Sequence, residues 1–158
     1  MKKKLPVSDK IIRATAISKS SAEQAGSITL TYSDRFRRRV AMISDNGIDF
    51  LLDLAEATEL ADGEFLVLDD GRYIKIIAAK EKLMRIRAKD QKHLSRAAWH
   101  VGNRHLACEI HAEFIVLTHD RIIKKMLLGL GCNVEEFEGP FSPEGGAYGQ
   151  GRVLAHSH

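Results

Sequence analysis

The seven histidines of this chain are the side chains whose chemistry its bulk composition does not explain: His93, His100, His105, His111, His119, His156 and His158. Neutral imidazole ligates first-row divalent metals, zinc, copper, iron and nickel among them. Spacing decides which rings could share an ion. Trp99-His100-Val101-Gly102-Asn103-Arg104-His105-Leu106 holds two of them, five residues apart. On an unbroken helix such positions point about 140° away from each other, which makes a poor chelate. Gly102-Asn103, however, offers two residues that tolerate a left-handed cap. A helix ending there leaves His100 in its last turn and frees His105 to point outward. A lone surface imidazole holds a divalent ion weakly, so His105 needs further nitrogen donors. A two-fold axis between two copies of the chain would supply a second His105, and a C-terminal arm carrying His156 and His158 would supply more. Cys108, three residues on, would face the other side of a strand and is not read as a ligand.

The elements that must position these residues fall in the second half. Leu83–Arg87 reads as a short strand. Asp90 can cap a helix whose apolar stripe is Leu94, Ala97, Ala98 and Val101. Leu106–Ile110 and Phe114–Leu117 read as strands around His111. Thr118 can cap a second helix with Ile122, Ile123, Met126, Leu127 and Leu130 apolar and Gly131 as its stop, and Asn133–Phe137 is the last strand. This β-α-β-β-α-β order is the ferredoxin-like arrangement. His119 would open the second helix, where the positive helix end favours neutral imidazole. His93 and His111 read as surface residues. The run Met126 to Leu130 is either core or a seam between two copies.

The first half reads differently. Residues 1–27 carry little pattern and are expected to form a loose lead-in with one edge strand. Ile28, Leu30 and Tyr32 alternate with polar residues, and Phe36–Ile43 and Ile48–Leu54 flank Asn46-Gly47, a strong hairpin signal. Asp62-Gly63 and Asp70-Gly71 bracket Phe65–Leu68, and Tyr73–Ala78 closes a small β domain. Arg35, Arg37, Arg38 and Arg39 form either an electropositive patch for an acidic partner or RNA, or a solvated strand face that protects a sheet edge.

The chain has 158 residues, 44% hydrophobic and 28% charged, with a formal net charge of +3. That is ordinary globular usage, and the charge is too small to argue for nucleic acid unless clustered. Two distant cysteines, Cys108 and Cys132, suggest a reduced, cytoplasmic chain without a disulfide framework. Neither a spanning apolar run nor a signal peptide is expected. The fold class is therefore α+β: a small N-terminal all-β domain over residues 1–79, a ferredoxin-like domain over 80–140, and a Gly/Pro/His tail over 141–158 expected to be mobile.

Val101-Gly102-Asn103-Arg104-His105-Leu106 resembles the hallmark of the UreE family of urease accessory proteins, which are nickel metallochaperones. The resemblance continues through His119-Asp120, Met126–Gly131 and Pro143–Tyr148. It implies a non-enzymatic homodimer that binds Ni2+ at its interface through His105, supplemented by His156 and His158, with Zn2+ or Cu2+ able to substitute. It also implies as partners the nucleotide-hydrolysing accessory protein UreG and the urease maturation complex. His119 and His100 match further family histidines. Where some relatives carry a second histidine after His119, this chain has Arg121. The alternative function is a ferredoxin-like RNA-binding module. Such modules display aromatic residues on their central strands, whereas Leu83, Met84, Ile86, Cys108, Ile110 and Phe114 form a nearly aliphatic set. A zinc hydrolase would want three clustered ligands and a general base, and the histidines here are scattered singly.

Overall fold

The structure, a computed structural model, describes residues 10–145. It is α+β, as the sequence pattern predicts, and divides into two units. Among the described residues, one holds 10–29 and Arg35–Ile77. The other holds Leu30–Asp34 and residues 78–145.

The first unit contains six strands: β1 Arg13–Ser18, β2 Gln24–Leu30, β3 Phe36–Ile43, β4 Asp49–Glu59, β5 Phe65–Leu68 and β6 Tyr73–Ala78. They form one sheet in the order β2-β6-β5-β1-β4-β3. Alternate residues go inward, as the two-residue period of a strand requires. Phe50, Leu52 and Leu54 of β4, Leu66 and Leu68 of β5, and Ile74 and Ile76 of β6 are all buried. The Asn46-Gly47 hairpin forms as expected. Ile43 pairs with Asp49, and Gly47 sits at φ 88°, where a side chain would be strained.

Two expectations fail here. The strand expected in the lead-in forms as β1, but it is not at an edge, a place taken by β2. β1 lies inside the sheet, parallel to β4 and antiparallel to β5. Its buried residue is only Ala14, because the neighbouring strands supply the bulk. A short strand with one small inward residue leaves almost no periodic signal. The arginine run is also not uniformly solvated. Arg37, Arg38 and Arg39 are exposed along β3, at the sheet edge, but Arg35 is buried in the preceding 3-10 turn.

The second unit contains β7 Lys80–Arg87, α1 Gln91–Asn103, β8 Glu109–Ile110, β9 Phe114–Thr118, α2 Arg121–Gly129 and β10 Asn133–Pro140. The sheet order is β10-β7-β9-β8. That is the ferredoxin-like arrangement, with the two outer strands contributed by the second and fourth positions in the chain. Every neighbouring pair is antiparallel. Met84 and Ile86 of β7 and Ile115 and Leu117 of β9 point to one face, where they meet Leu94, Ala97 and Val101 of α1 and Ile123 and Leu127 of α2. Leu127 is therefore core, while Leu128 and Ile122 lie exposed on the outer side of α2. β8 is only two residues long, shorter than the predicted Leu106–Ile110. Leu106 turns inward to the helix-side core before the ladder begins.

Helix starts follow Asp residues. Asp90 accepts from the His93 N–H at 2.8 Å. Asp120, not Thr118, caps α2, accepting from the N–H groups of Ile122 and Ile123 at 2.8 and 2.9 Å. Asp120→Ala is expected to cost about 1 kcal/mol, the usual loss for an N-cap side chain, read as a lowered thermal midpoint.

Candidate metal centre

His105 is built by the end of α1. The helix runs one residue past Gly102, through Asn103, with Arg104 as its C-cap. The left-handed residue is then His105 itself, at φ 57°, and not Gly102 or Asn103 as the sequence suggests. The His105 N–H donates to the Gly102 carbonyl at 2.9 Å, and the Leu106 N–H to the Val101 carbonyl at 3.3 Å. This pair of bonds is a Schellman motif, which favours an apolar contact between its outermost residues. Leu106 and Val101 supply that contact in the helix-side core. A stop three residues earlier would have put polar Asn103 in the place of Leu106. The hydrophobic contact thus decides where the helix ends, and it puts a histidine where glycine is usual.

α2 ends in the same way. Its left-handed residue is Gly131, at φ 83°, and the N–H groups of Gly131 and Cys132 donate to the Leu128 and Leu127 carbonyls at 3.0 and 3.1 Å. Of two matching caps, one carries glycine and the other His105. A left-handed residue with a side chain costs roughly 1 kcal/mol. The His105 imidazole is exposed and makes no hydrogen bond to a described residue.

The other histidines are placed as follows. His100 sits half-buried in the last turn of α1, its ring edge-on to exposed Trp99 at 5.0 Å. His119 does not open α2. It precedes the Asp120 cap, and its Nε2 lies 2.8 Å from Glu136 Oε1. The Lys124 ammonium donates to the same oxygen at 3.0 Å. His119 also lines a cleft of about 200 Å³ whose other walls include Leu106 and Ala107, the residues that follow His105. His111 is on the surface as expected, stacked on Phe114 at 4.3 Å.

His93 is the clearest departure. It is buried, 6% exposed, rather than on the surface. Its Nδ1 accepts from the Lys89 N–H at 3.2 Å, so its proton is on Nε2, which donates to the Leu130 carbonyl at 2.7 Å. It ties the start of α1 to the end of α2. Nothing in the sequence marks this, because both partners are backbone groups.

Among the described residues no three His, Cys, Asp or Glu side chains converge on one point. His156 and His158 lie outside the described residues. The Cys108 thiol is half-buried and pushed up by that burial and by the Glu144 carboxylate nearby, which disfavours the thiolate a metal would need.

The hydrogen bond from Lys124, and then that from His119, hold the Glu136 carboxyl below its ordinary value of 4.5. A carboxylate depressed in the folded state stabilises it above the unfolded value and loses that contribution as pH falls through the folded one. Glu136→Gln should therefore lower the thermal midpoint above about pH 4.5, and the gap from wild type should close in more acidic buffer and in high salt.

The sheet face away from the helices is more aromatic than the sequence suggests. The Arg85 guanidinium lies 5.2 Å from the Phe114 ring centre and 4.4 Å from that of Phe137, and Arg87 lies 4.9 Å from Phe114. With His111 also stacked on Phe114, the ring faces an RNA base would use are taken by the chain's own side chains.

Two family models match the chain. The UreE urease accessory protein N-terminal domain matches residues 8–79, and the C-terminal domain of the same family matches residues 81–158. Curated relatives agree. The urease accessory protein UreE of Bradyrhizobium sp. strain ORS 278 is 50% identical over 134 residues, covering 85% of this chain and 62% of that protein. That of Chelativorans sp. strain BNC1 is 47% identical over 148 residues, covering 94% of this chain and 90% of the relative. That of Rhodopseudomonas palustris strain BisB18 is 44% identical over 151 residues, covering 94% and 72%. Against the Bradyrhizobium ORS 278 protein, then, the chain spans less than two thirds of the relative's length.

Proposed function

The chain belongs to the UreE family of urease accessory proteins, and from that premise we propose that it carries nickel for assembly of the urease active site. Its family is accessory rather than catalytic. In this reading two copies of the chain meet about a two-fold axis, and the two His105 imidazoles hold one Ni2+ between them. An isologous interface places the same residue on both sides, so one ring becomes two without any further change in sequence. His156 and His158 add donors, and Zn2+ or Cu2+ can occupy the same nitrogens. The partners are a second copy, the accessory protein UreG and the urease maturation complex, in the cytoplasm. No described helix is long and apolar enough to cross a membrane.

The observation that carries the reading is the state of His105. Its backbone is held by two hydrogen bonds of the cap in a conformation that disfavours side chains, yet its ring is exposed and bonded to no described residue. Such strain is retained where a ring is needed at a fixed point. His119 is a weaker candidate, since its Nε2 is engaged by Glu136.

Nickel titration by calorimetry of wild type against His105→Ala tests the site, and sedimentation tests the dimer. Unchanged affinity and stoichiometry in the variant would remove the claim. Deleting residues 153–158 should lower nickel capacity while the dimer persists.

A further inference from the structure

Arg37, Arg38 and Arg39 are consecutive, and all three are exposed. A regular strand alternates its faces, so part of such a triplet should turn inward. A bulge prevents this. The β3–β4 register steps from Arg37 opposite Thr58 to Arg39 opposite Asp53, and Arg38 falls between. Bulges re-aim side chains in this way. Asp53 offsets little of the charge, because it is already bonded to Arg13 at 2.6 Å and lies 3.9 Å from Arg39. The strand carrying the triplet is open on one side. The β2 edge of the sheet is closed by the hairpin tip at residues 44–47. The Asp45 N–H donates to the Ser27 carbonyl at 2.7 Å, the Asn46 amide to the Ala25 carbonyl at 2.9 Å, and the Thr29 N–H to Asp45 Oδ1 at 3.2 Å. At β3, the other edge, no described strand pairs on the side away from β4. Further along β3 lies a groove of about 690 Å³ walled by Ile11, Ala41, Met42, Ile43 and Leu51. Ile11 and Ile43 are 61% and 64% exposed. The edge thus offers, in a row, a strand to pair with, positive charge and an apolar seat.

We propose that the β3 edge docks an extended, acidic segment of a partner protein. The segment adds a strand beside β3, sets its carboxylates against Arg37, Arg38 and Arg39, and seats an apolar end in the groove at Ile11 and Ile43. Strand addition takes affinity from main-chain hydrogen bonds and specificity from side-chain sites. Charges on an edge discourage neutral or basic strands, and the same charges select an acidic one. The chain's own segments fit poorly. Residues 1–9 hold three lysines against one aspartate. In β10, Glu135 is paired with Arg85, and Glu136 with His119 and Lys124. RNA fits less well than a peptide, since β3 exposes no aromatic ring on which a base could stack and a phosphate backbone cannot join a β ladder. The surface acts without nickel and stands apart from the carrier reading.

Fluorescence anisotropy on the full, metal-free chain tests this with labelled peptides the length of β3, eight residues. One alternates glutamate and valine and ends in leucine. A second has lysine in place of glutamate. A third is the acidic peptide with alternate amides N-methylated. The acidic peptide should bind, more weakly as salt rises. The lysine and N-methylated peptides should bind at least about tenfold more weakly. Arg38→Glu/Arg39→Glu should reverse the preference between the acidic and lysine peptides. Ile11→Gln/Ile43→Gln should weaken the acidic peptide by about tenfold. Both variants should keep the thermal midpoint and nickel affinity near wild type, since the four side chains are exposed or at the rim of the groove. The proposal is overturned by no binding of the acidic peptide below about 1 mM, by equal binding of the acidic and lysine peptides, or by an unchanged preference in the arginine variant. Tighter binding of oligouridylate than of the acidic peptide overturns it in favour of RNA.

Discussion

A His105→Gly chain is expected to melt no lower than wild type and to lose at least about a hundredfold in nickel affinity. The two effects have separate causes at one residue. On the backbone side, His105 holds φ 57° at a cap whose counterpart in α2 is Gly131 at φ 83°. Glycine relieves roughly 1 kcal/mol of left-handed strain. Its greater freedom in the unfolded chain offsets about 0.4 to 1 kcal/mol of that. The net change lies between about zero and 0.6 kcal/mol, at most about two degrees in a chain of this size. On the ligand side, the proposed dyad loses both imidazoles with one substitution. Even groups that only support a ligand change metal affinity by about 10- to 100-fold, so loss of the anchoring pair should reach the upper end or beyond. His105→Ala provides the control. It should lose nickel equally but keep the strained φ, and therefore melt with wild type, below the glycine variant by at most about 0.6 kcal/mol. Calorimetric titration and metal-free thermal unfolding of the three proteins read both effects. Wild-type affinity in the glycine variant, or a glycine variant that melts below the alanine one, would separate the strain at this cap from any metal role.

His93→Leu is expected to destabilise the second unit by about 2 to 4 kcal/mol. Leucine fills a similar volume but supplies neither the acceptor for the Lys89 N–H nor the donor for the Leu130 carbonyl. Both bonds are part-buried, so losing each costs about 1 to 2 kcal/mol, the lower part of the range for a polar group left unpaired. His93→Gln, which carries one donor group and one acceptor, should recover part of the loss. Denaturant unfolding of metal-free protein measures it, and the nickel affinity of the folded variant should match wild type because His93 is enclosed. A His93→Leu midpoint within about 0.5 kcal/mol of wild type would show that the two bonds do not matter as argued.

These two histidines also mark how far the sequence could be read. The β-α-β-β-α-β order was legible because each element buries one face, and burial imposes a period of two or of 3.6 on apolar positions. Leu94, Ala97 and Val101 on α1, and Ile123 and Leu127 on α2, follow that rule and are buried. So did the hairpin at Asn46-Gly47, because a left-handed turn residue is a local demand. The interior place of β1 was not legible, since its inward residue is small and its neighbours lie far along the chain.

From the sequence alone came the element order, the family resemblance and the choice of His105 as the residue to watch. Only the tertiary structure decided that α1 stops at Arg104 and gives His105 the left-handed place, that His93 is a buried tie, that His119 faces Glu136, and that Asp45 fastens Thr29. The physical reason is common to all four. Local patterns report what one segment buries, whereas a helix stop, a buried hydrogen bond and an ion pair are settled by which distant groups the fold brings within about 3 Å.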